Sequence, residues 1–220
     1  MATLTGLTAA RMLAVEAASV VAGTIVGPNL ILQRKDTSTF NAGQVTPSVV
    51  SSLPGSPTDG QEVYYQNAAM ATAGIMWHLR YRAAATTYKW EVLGGGPFME
   101  HASAATTRAV STYGDLTSGA MSTWTIPLVG EYEVEIGASL SPGAAGQGFY
   151  MSIAIAGATA LDADSVLAYC VSSLGQWDVS RKMKKVFAAT DTVVPKFKQQ
   201  GATAGNVTNR YICIKPIRVN

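Results

Sequence analysis

The chain has 220 residues and a mass of 23.0 kDa, and its 16 basic and 14 acidic residues give a formal net charge of +2. That balance excludes a protein that grips nucleic acid through a basic surface, and no apolar run reaches the roughly 18 residues of a membrane span. Charged residues make up only 14% of the chain, which favours a surface partly covered by other copies of the chain. A β protein solvated by its Ser and Thr hydroxyls is the alternative interpretation.

The first predicted unit covers residues 1–46. Good helix formers dominate residues 8–18 and predict a short helix, and a turn at residues 27–29 predicts a β-hairpin after it. So short a helix is marginal alone in water, so we expect it to dock on a larger body. The candidate docking residues are the apolar side chains of this opening segment: Leu4, Leu7, Met12, Leu13 and Val15.

The second predicted unit, residues 47–97, is a small β meander. Pro and Gly cluster at residues 46–60 and again at 94–97, which is typical of linkers. Three short strands with aromatic residues lie between these linkers. One face of the second strand is apolar and consists of Ile75, Trp77, Leu79 and Tyr81.

The largest unit, residues 98–220, is predicted to be an antiparallel β-sandwich. Its strands recur every 10 to 18 residues, with Gly, Pro, Asn or Asp between them. In residues 130–137 apolar residues alternate with three glutamates, the pattern of a half-buried strand. We also expect apolar strand faces to form the contact between copies, with these candidates: Tyr132, Val134, Ile136, Phe149, Ile212 and Ile214.

Charge is segregated within this unit. Residues 115–177 contain six acidic residues and no Lys or Arg, whereas residues 178–220 contain nine basic and two acidic residues. We expect the acidic and basic strands to interleave and pair, within one sheet or between subunits. A basic patch at residues 181–185 that faces a polyanion is the alternative.

Motifs for catalysis or cofactor binding are missing from the sequence. His78 and His101 belong to no HxH or HExxH pattern, and no GxSxG elbow, P-loop or GxGxxG motif opens a helix after a strand. Asp162 and Asp164, with the glutamates of residues 130–137, offer hard oxygen ligands for Ca²⁺, although the sequence favours a solvated turn. We therefore predict no catalytic residue, no metal and no cofactor.

Trp177 is the candidate for contact with a ligand. It lies in a loop-like Gly-Gln-Trp-Asp segment, whereas Trp77 and Trp90 alternate within predicted strands. An exposed aromatic ring can stack on a sugar ring or fill a subunit interface, and the sequence leaves both open. The predicted ligand-contact residues are Gln176, Trp177 and Asp178.

Three segments resemble known protein families. Residues 4–21, followed by Gly-Pro-Asn-Leu-Ile-Leu at 27–32 and Asn-Ala-Gly at 41–43, resemble the start of minor tail and fibre proteins of phages of actinobacteria and relatives. Residues 53–65, with the later Trp-His-Leu-Arg-Tyr and Tyr-Lys-Trp-Glu segments, are similar to a module repeated in phage tail proteins. Residues 98–220 resemble the complement-type or tumour-necrosis-factor-like jelly roll, although Thr190 stands where that family often has Gly.

The resemblance implies a homotrimeric virion protein that is made in the host cytoplasm. Its N-terminus would dock on other virion proteins, and its sandwich would face a host-surface glycan or protein. A tail fibre or minor tail protein is the first prediction, and a capsid head fibre or decoration protein is the alternative. A tail-borne glycan depolymerase is the enzymatic alternative, which would need two carboxylates facing each other across a cleft. We expect no nucleic-acid partner and no membrane insertion.

Overall fold

The computed structural model describes residues 47–171 and 175–220 with their side chains, and five strands within residues 3–44 as backbone. This described part is mainly β, with one short helix, α1 (Ala68–Thr72), and a 3-10 turn at Asp162–Asp164. Within those described residues no helix has the length and apolarity to cross a bilayer. The strands are, in chain order, β1 (Thr3–Leu4), β2 (Leu7–Thr8), β3 (Val20–Val26), β4 (Asn29–Arg34), β5 (Thr39–Gln44), β6 (Ser48–Val50), β7 (Glu62–Tyr65), β8 (Trp77–Tyr81), β9 (Trp90–Gly95), β10 (Phe98–Ala102), β11 (Thr106–Arg108), β12 (Trp124–Thr125), β13 (Gly130–Ser141), β14 (Gln147–Ile155), β15 (Val166–Cys170), β16 (Trp177–Phe187), β17 (Thr192–Gln199) and β18 (Gly205–Val219).

Two small antiparallel sheets precede the main body. β1 pairs with β2, and β3, β4 and β5 form a three-stranded meander that contains the predicted hairpin. The helix was predicted over residues 8–18. Thr8 belongs to β2, and residues 9–19 lie outside the described part of the chain, which leaves the rest of this prediction untested. The predicted docking residues Met12, Leu13 and Val15 lie there too, and Leu4 pairs with Leu7 across β1 and β2.

The main body is a jelly-roll β-sandwich, which confirms the predicted fold class. Its front sheet has the order β10–β18–β13–β16, and its back sheet has the order β12–β17–β14–β15. The chain crosses from one sheet to the other between β12 and β13, β13 and β14, β15 and β16, β16 and β17, and β17 and β18. Two sheets of four antiparallel strands linked in this way are the arrangement of a jelly roll.

The front sheet continues into the meander of residues 47–97 without a break. β9 pairs with the end of β18 through Trp90 and Val219, and β8, β7 and β6 follow beside it. The prediction of a linker at residues 94–97 is therefore wrong for its first two residues, because Gly94 and Gly95 belong to β9. Gly95 has a φ of 120°, and a Cβ there would lie 2.2 Å from the backbone oxygen of Met76. Glycine at position 95 therefore allows two strands to approach closely, and it does not indicate a flexible linker.

One aromatic cluster joins the meander to the sandwich. The Trp77 ring of β8 is fully buried, with its centroid 5.7 Å from that of Phe98 and 6.2 Å from that of Tyr132. Tyr132 in turn lies 5.4 Å from Phe187. Edge-to-face contacts at these distances add to the burial of apolar area, so the two predicted units share a hydrophobic core.

The segregated charges pair across the sandwich, as the sequence predicts. Lys185 Nζ lies 2.5 Å from Asp164 Oδ1, and Lys196 Nζ lies 2.7 Å from Asp115 Oδ1. Each of these pairs joins a base from the C-terminal segment to an acid from the segment before it. The basic segment around residues 181–185 is therefore partly neutralised within one chain.

Thr190, which stands where the jelly-roll family often has glycine, adopts a backbone conformation that glycine favours. Its φ is 72°, in the left-handed region that favours glycine and is unfavourable for a β-branched residue. The Thr190 N–H donates to the oxygen of Ile126 at 2.8 Å, and the Ala188 N–H donates to the carboxylate of Asp191. The turn between β16 and β17 thus keeps a glycine-like backbone with a different residue.

Candidate binding site

The outer face of the front sheet begins with a charged ladder, which we define as Glu131, Glu133 and Glu135 of β13 with Lys182 and Lys184 of β16. Strand alternation places the three glutamates outward, opposite the outward residues of β16. Lys184 Nζ lies 2.9 Å from Glu131, and Lys182 Nζ lies 3.1 Å from Glu133. Long side chains therefore meet and fill this part of the face.

Beyond Glu135 the same face opens into a groove. The next outward residues of β13 are Gly137 and Ser139, which are too short to fill the space above the sheet. Gly137 is paired with Ser180 and Tyr211, and Ser139 is paired with Asp178. The groove has a volume of about 400 Å³. Its main lining residues come from four strands: His101, Ser139, Asp178, Ser180, Asn209 and Tyr211.

The Tyr211 ring forms the floor of the groove and is held in place. Its hydroxyl donates a hydrogen bond to Glu135 Oε1 at 2.8 Å. The ring lies across Gly137, where a Cβ would come within 2.4 Å of ring atom Cε1. Burial, and then the hydrogen bond to Glu135, raise the pKa of Tyr211. The phenol therefore stays a protonated donor at neutral pH.

Asp178 provides the charge in the groove. Ser139 Oγ donates a hydrogen bond to Asp178 Oδ1, and Ser139 is buried whereas Asp178 is exposed. Within residues 47–171 and 175–220 no Lys or Arg forms a salt bridge with Asp178, in contrast to the glutamates of the charged ladder. At the other side Asn209 has a φ of 47°, which fixes a bend in β18 beside the ring. The result is an oriented carboxylate facing hydroxyl, amide and imidazole groups.

The structure separates the three residues that the sequence nominated for ligand contact. Asp178 lines the groove, and Gln176 Nε2 donates to Thr208 Oγ1 at 3.1 Å beside it. Trp177 is paired with the buried Leu140, so alternation places its ring on the opposite face of β16. Trp177 is 37% exposed, on the face of β16 opposite to the groove.

The six residues predicted to contact other copies lie in the core of a single chain, which corrects that prediction. All of them are 0% exposed, because they line the two inner faces of the sandwich and pack against each other: Tyr132, Val134, Ile136, Phe149, Ile212 and Ile214. Alternating apolar residues indicate a buried face, but the pattern does not say whether the same chain or a second copy buries it.

The aspartates considered for Ca²⁺ are engaged by other groups. Asp162 Oδ1 accepts a hydrogen bond from the Tyr113 hydroxyl at 2.7 Å and pairs with Lys198, while Asp164 pairs with Lys185. The hydrogen bonds from Lys198 and Tyr113 lower the pKa of Asp162. In the described part of the chain no three His, Cys, Asp or Glu residues are placed to hold a metal ion.

The histidines are not brought together, and most groove residues were not singled out by the sequence. His78 Nε2 lies 2.8 Å from Glu62 Oε2 in the meander, and only His101 lines the groove. The available signal is the alternation in β13, where glutamate gives way to Gly137 and Ser139 on the same face.

An apolar patch lies on a different side of the sandwich, along β15. We define the β15 patch as Leu167, Tyr169 and Val171, which are 43%, 49% and 78% exposed. The alternate residues of β15 face inward and are buried. Among the strands that the structure describes, β15 is the edge of the back sheet, and β14 is its pairing partner there.

Comparisons with known proteins add only distant similarities. No protein-family model matches the chain, and no curated protein matches its sequence. Among solved structures, the globular domain of the zebrafish complement 1qA protein has 15% identity and a TM-score of 0.36, covering 57% of this chain and 99% of that chain. BiXyn10A CBM1 has 12% identity and a TM-score of 0.23, covering 70% of this chain and 79% of that chain. Dimeric latent PorU from Porphyromonas gingivalis has 12% identity and a TM-score of 0.32. That match covers 91% of this chain and 19% of the PorU chain. Similarities of this size carry no information about function.

Proposed function

We propose that this protein is a structural component of a phage particle, in which three copies associate through the β15 patch and attach the particle to the host surface. The tail is the proposed location, and the capsid surface is the alternative. The phage assignment is supported by the sequence resemblance of the first 97 residues. The observation that carries the association of copies is the exposed apolar edge at β15.

An apolar edge strand is a hazard in a protein that stays monomeric. A strand at the edge of a sheet can pair with a strand of another chain, and natural sheets protect such edges with charges, prolines or covering segments. The β15 patch instead offers Leu167, Tyr169 and Val171 to the outside. The chain carries only 14% charged residues, so a second copy of the chain is the proposed cover.

Association would also explain how a weakly binding sandwich could hold a particle on a cell. Copies that bind at once raise the overall affinity by about 10²- to 10⁴-fold without any new contact. We propose that the protein acts by binding and not by catalysis. Asp178 is the carboxylate among the groove's lining residues. Glu135 lies further along β13, where it accepts from Tyr211 and lies 3.8 Å from Lys182, so the two carboxylates do not form the facing pair that a glycosidase uses.

Competition for adsorption tests this proposal. Host cells are preincubated with the purified full chain, and the rate at which phage particles adsorb is then measured. We expect the wild-type chain to slow adsorption at least tenfold, and Val171→Glu to lose most of that effect because it separates the copies. Val49→Glu is the matched control, since Val49 is 62% exposed on β6 and lies outside the β15 patch. No competition by the wild-type chain, or release of reducing sugar ends from host polysaccharide, would contradict the proposal.

A further inference from the structure

The groove beside the charged ladder has the size and the polar groups of a ligand site. Its volume of about 400 Å³ lies within the range of about 300–1,000 Å³ that is usual for small-molecule sites. The groove is independent of the β15 patch, because its residues belong to the front sheet and those of the patch belong to the back sheet. Association of copies therefore does not account for it.

The aromatic floor of the groove suits stacking with a sugar ring. Tyr211 is locked from below by Gly137 and at its tip by Glu135, so little side-chain freedom remains to be lost when a ligand stacks on the ring. Aromatic rings that are fixed before binding give contact area at low entropic cost. The C–H faces of a six-membered sugar ring offer an apolar surface of matching size.

The polar groups define the charge of the ligand. Asp178 accepts hydrogen bonds, Ser180 and Asn209 can both donate and accept, and His101 adds a ring nitrogen. No Lys or Arg is among the groove's lining residues, and the carboxylate of Asp178 repels an anion. These groups match sugar hydroxyls and disfavour phosphate, sulfate and uronic acid groups.

We propose that the groove binds a neutral saccharide, with one sugar ring on Tyr211 and its hydroxyls on Asp178 and the facing polar side chains. This inference rests on the proposed attachment role and gives it a substrate class. Trp177, the aromatic residue that the sequence favoured, takes no part because it lies on the other face of β16.

Saccharide binding by the purified full chain, without cells or particles, tests the inference. Saturation-transfer NMR and calorimetry would use the methyl glycosides of glucose, galactose, mannose and N-acetylglucosamine, with the methyl glycoside of galacturonic acid, which keeps its free carboxylate, as the anionic probe. We expect millimolar binding of at least one neutral glycoside, and binding of the galacturonate at least tenfold weaker than that of the galactoside. The wild-type chain can fail here and still compete for adsorption, so failure of the inference is distinguishable from failure of the proposed function.

Variants locate the site. Tyr211→Ala is expected to abolish binding, and Tyr64→Ala, on the meander, is the matched control that leaves it unchanged. Asp178→Asn preserves the shape of the side chain and is expected to weaken binding of the neutral glycoside at least fivefold. The ratio between the affinities for the neutral glycoside and for the galacturonate should then become smaller. Trp177→Ala should have no effect on saccharide binding.

Three results would overturn the inference. They are the absence of binding by every neutral glycoside, unchanged binding by folded Tyr211→Ala and Asp178→Asn, and a preference for galacturonate.

Discussion

The charged ladder and the groove share strands β13 and β16, yet one is filled and the other is open. Along the outer face of β13 the residues change from Glu131, Glu133 and Glu135 to Gly137 and Ser139. The glutamates reach lysines of β16, whereas the short residues leave room for the Tyr211 ring above Gly137. The length of the side chains on one strand therefore decides whether this face is a closed ionic surface or a concave site.

The largest effect on stability is expected at Gly137, which lies beneath the Tyr211 ring. Gly137→Val would place a branched side chain against the Tyr211 ring, because even a Cβ lies 2.4 Å from that ring. We expect the free energy of unfolding to fall by about 1–3 kcal/mol, as in other overpacked sites. Urea unfolding measures this change.

Gly94→Val is the control for that substitution, since Gly94 also lies in a front-sheet strand and a Cβ there meets no atom within 4 Å. Its effect should stay within about 0.5 kcal/mol. Equal destabilisation by both variants would show that loss of glycine, and not the contact with Tyr211, is responsible.

A smaller effect is expected for Tyr211→Phe, and it depends on pH. At pH 8 the wild-type protein should be more stable by about 0.5–1.5 kcal/mol, because Phe cannot donate to Glu135. The pKa of Tyr211 is raised in the folded protein, so between the unfolded tyrosine pKa, about 10, and the folded value the native state holds more protons.

The stability that Tyr211 contributes is therefore complete below about pH 10 and is lost as pH rises through the folded pKa. Unfolding midpoints of both proteins at pH 8 and pH 11 should show the gap between them shrinking at the higher pH. The other tyrosines are common to both proteins and cancel. A gap that grows with pH would contradict the assigned hydrogen bond.

The smallest effect is expected in the charged ladder. Lys184→Ala removes the pair with Glu131, but the lysine side chain is 59% exposed, so the loss should stay below about 1 kcal/mol. Because exposed pairs are screened, the difference should decline further between 0.05 and 1 M salt. A loss that is larger and independent of salt, seen in thermal unfolding, would mean that the ladder supports the fold as strongly as the core does.

The sequence predicted the sandwich well because its strands obey a local rule. Alternation of apolar residues with glutamates marks β13, and aromatic residues mark β8 and β9, so each strand is visible within its own segment. The pattern does not extend to glycine. Gly94 and Gly95 suggest a linker until the fold is seen to pair them with Trp77 and His78 of β8.

The groove could not be predicted, because its residues are brought together only by the fold. His101, Ser139, Asp178 and Tyr211 come from four strands that are distant in sequence and adjacent through the register of the front sheet. The interface prediction failed for a related reason. Apolar faces such as that of Ile212 and Ile214 are buried by the opposite sheet of the same chain, and only solvent exposure in three dimensions reveals the β15 patch.

The central claim is that copies of this chain cover the β15 patch of one another, and the mass of the full chain in solution tests it most directly. Sedimentation equilibrium at micromolar concentration should give three times the 23.0 kDa chain mass, with Val171→Glu shifting toward the single-chain value and Val49→Glu remaining at the wild-type mass. A wild-type chain that sediments at the single-chain mass across that range would contradict the account.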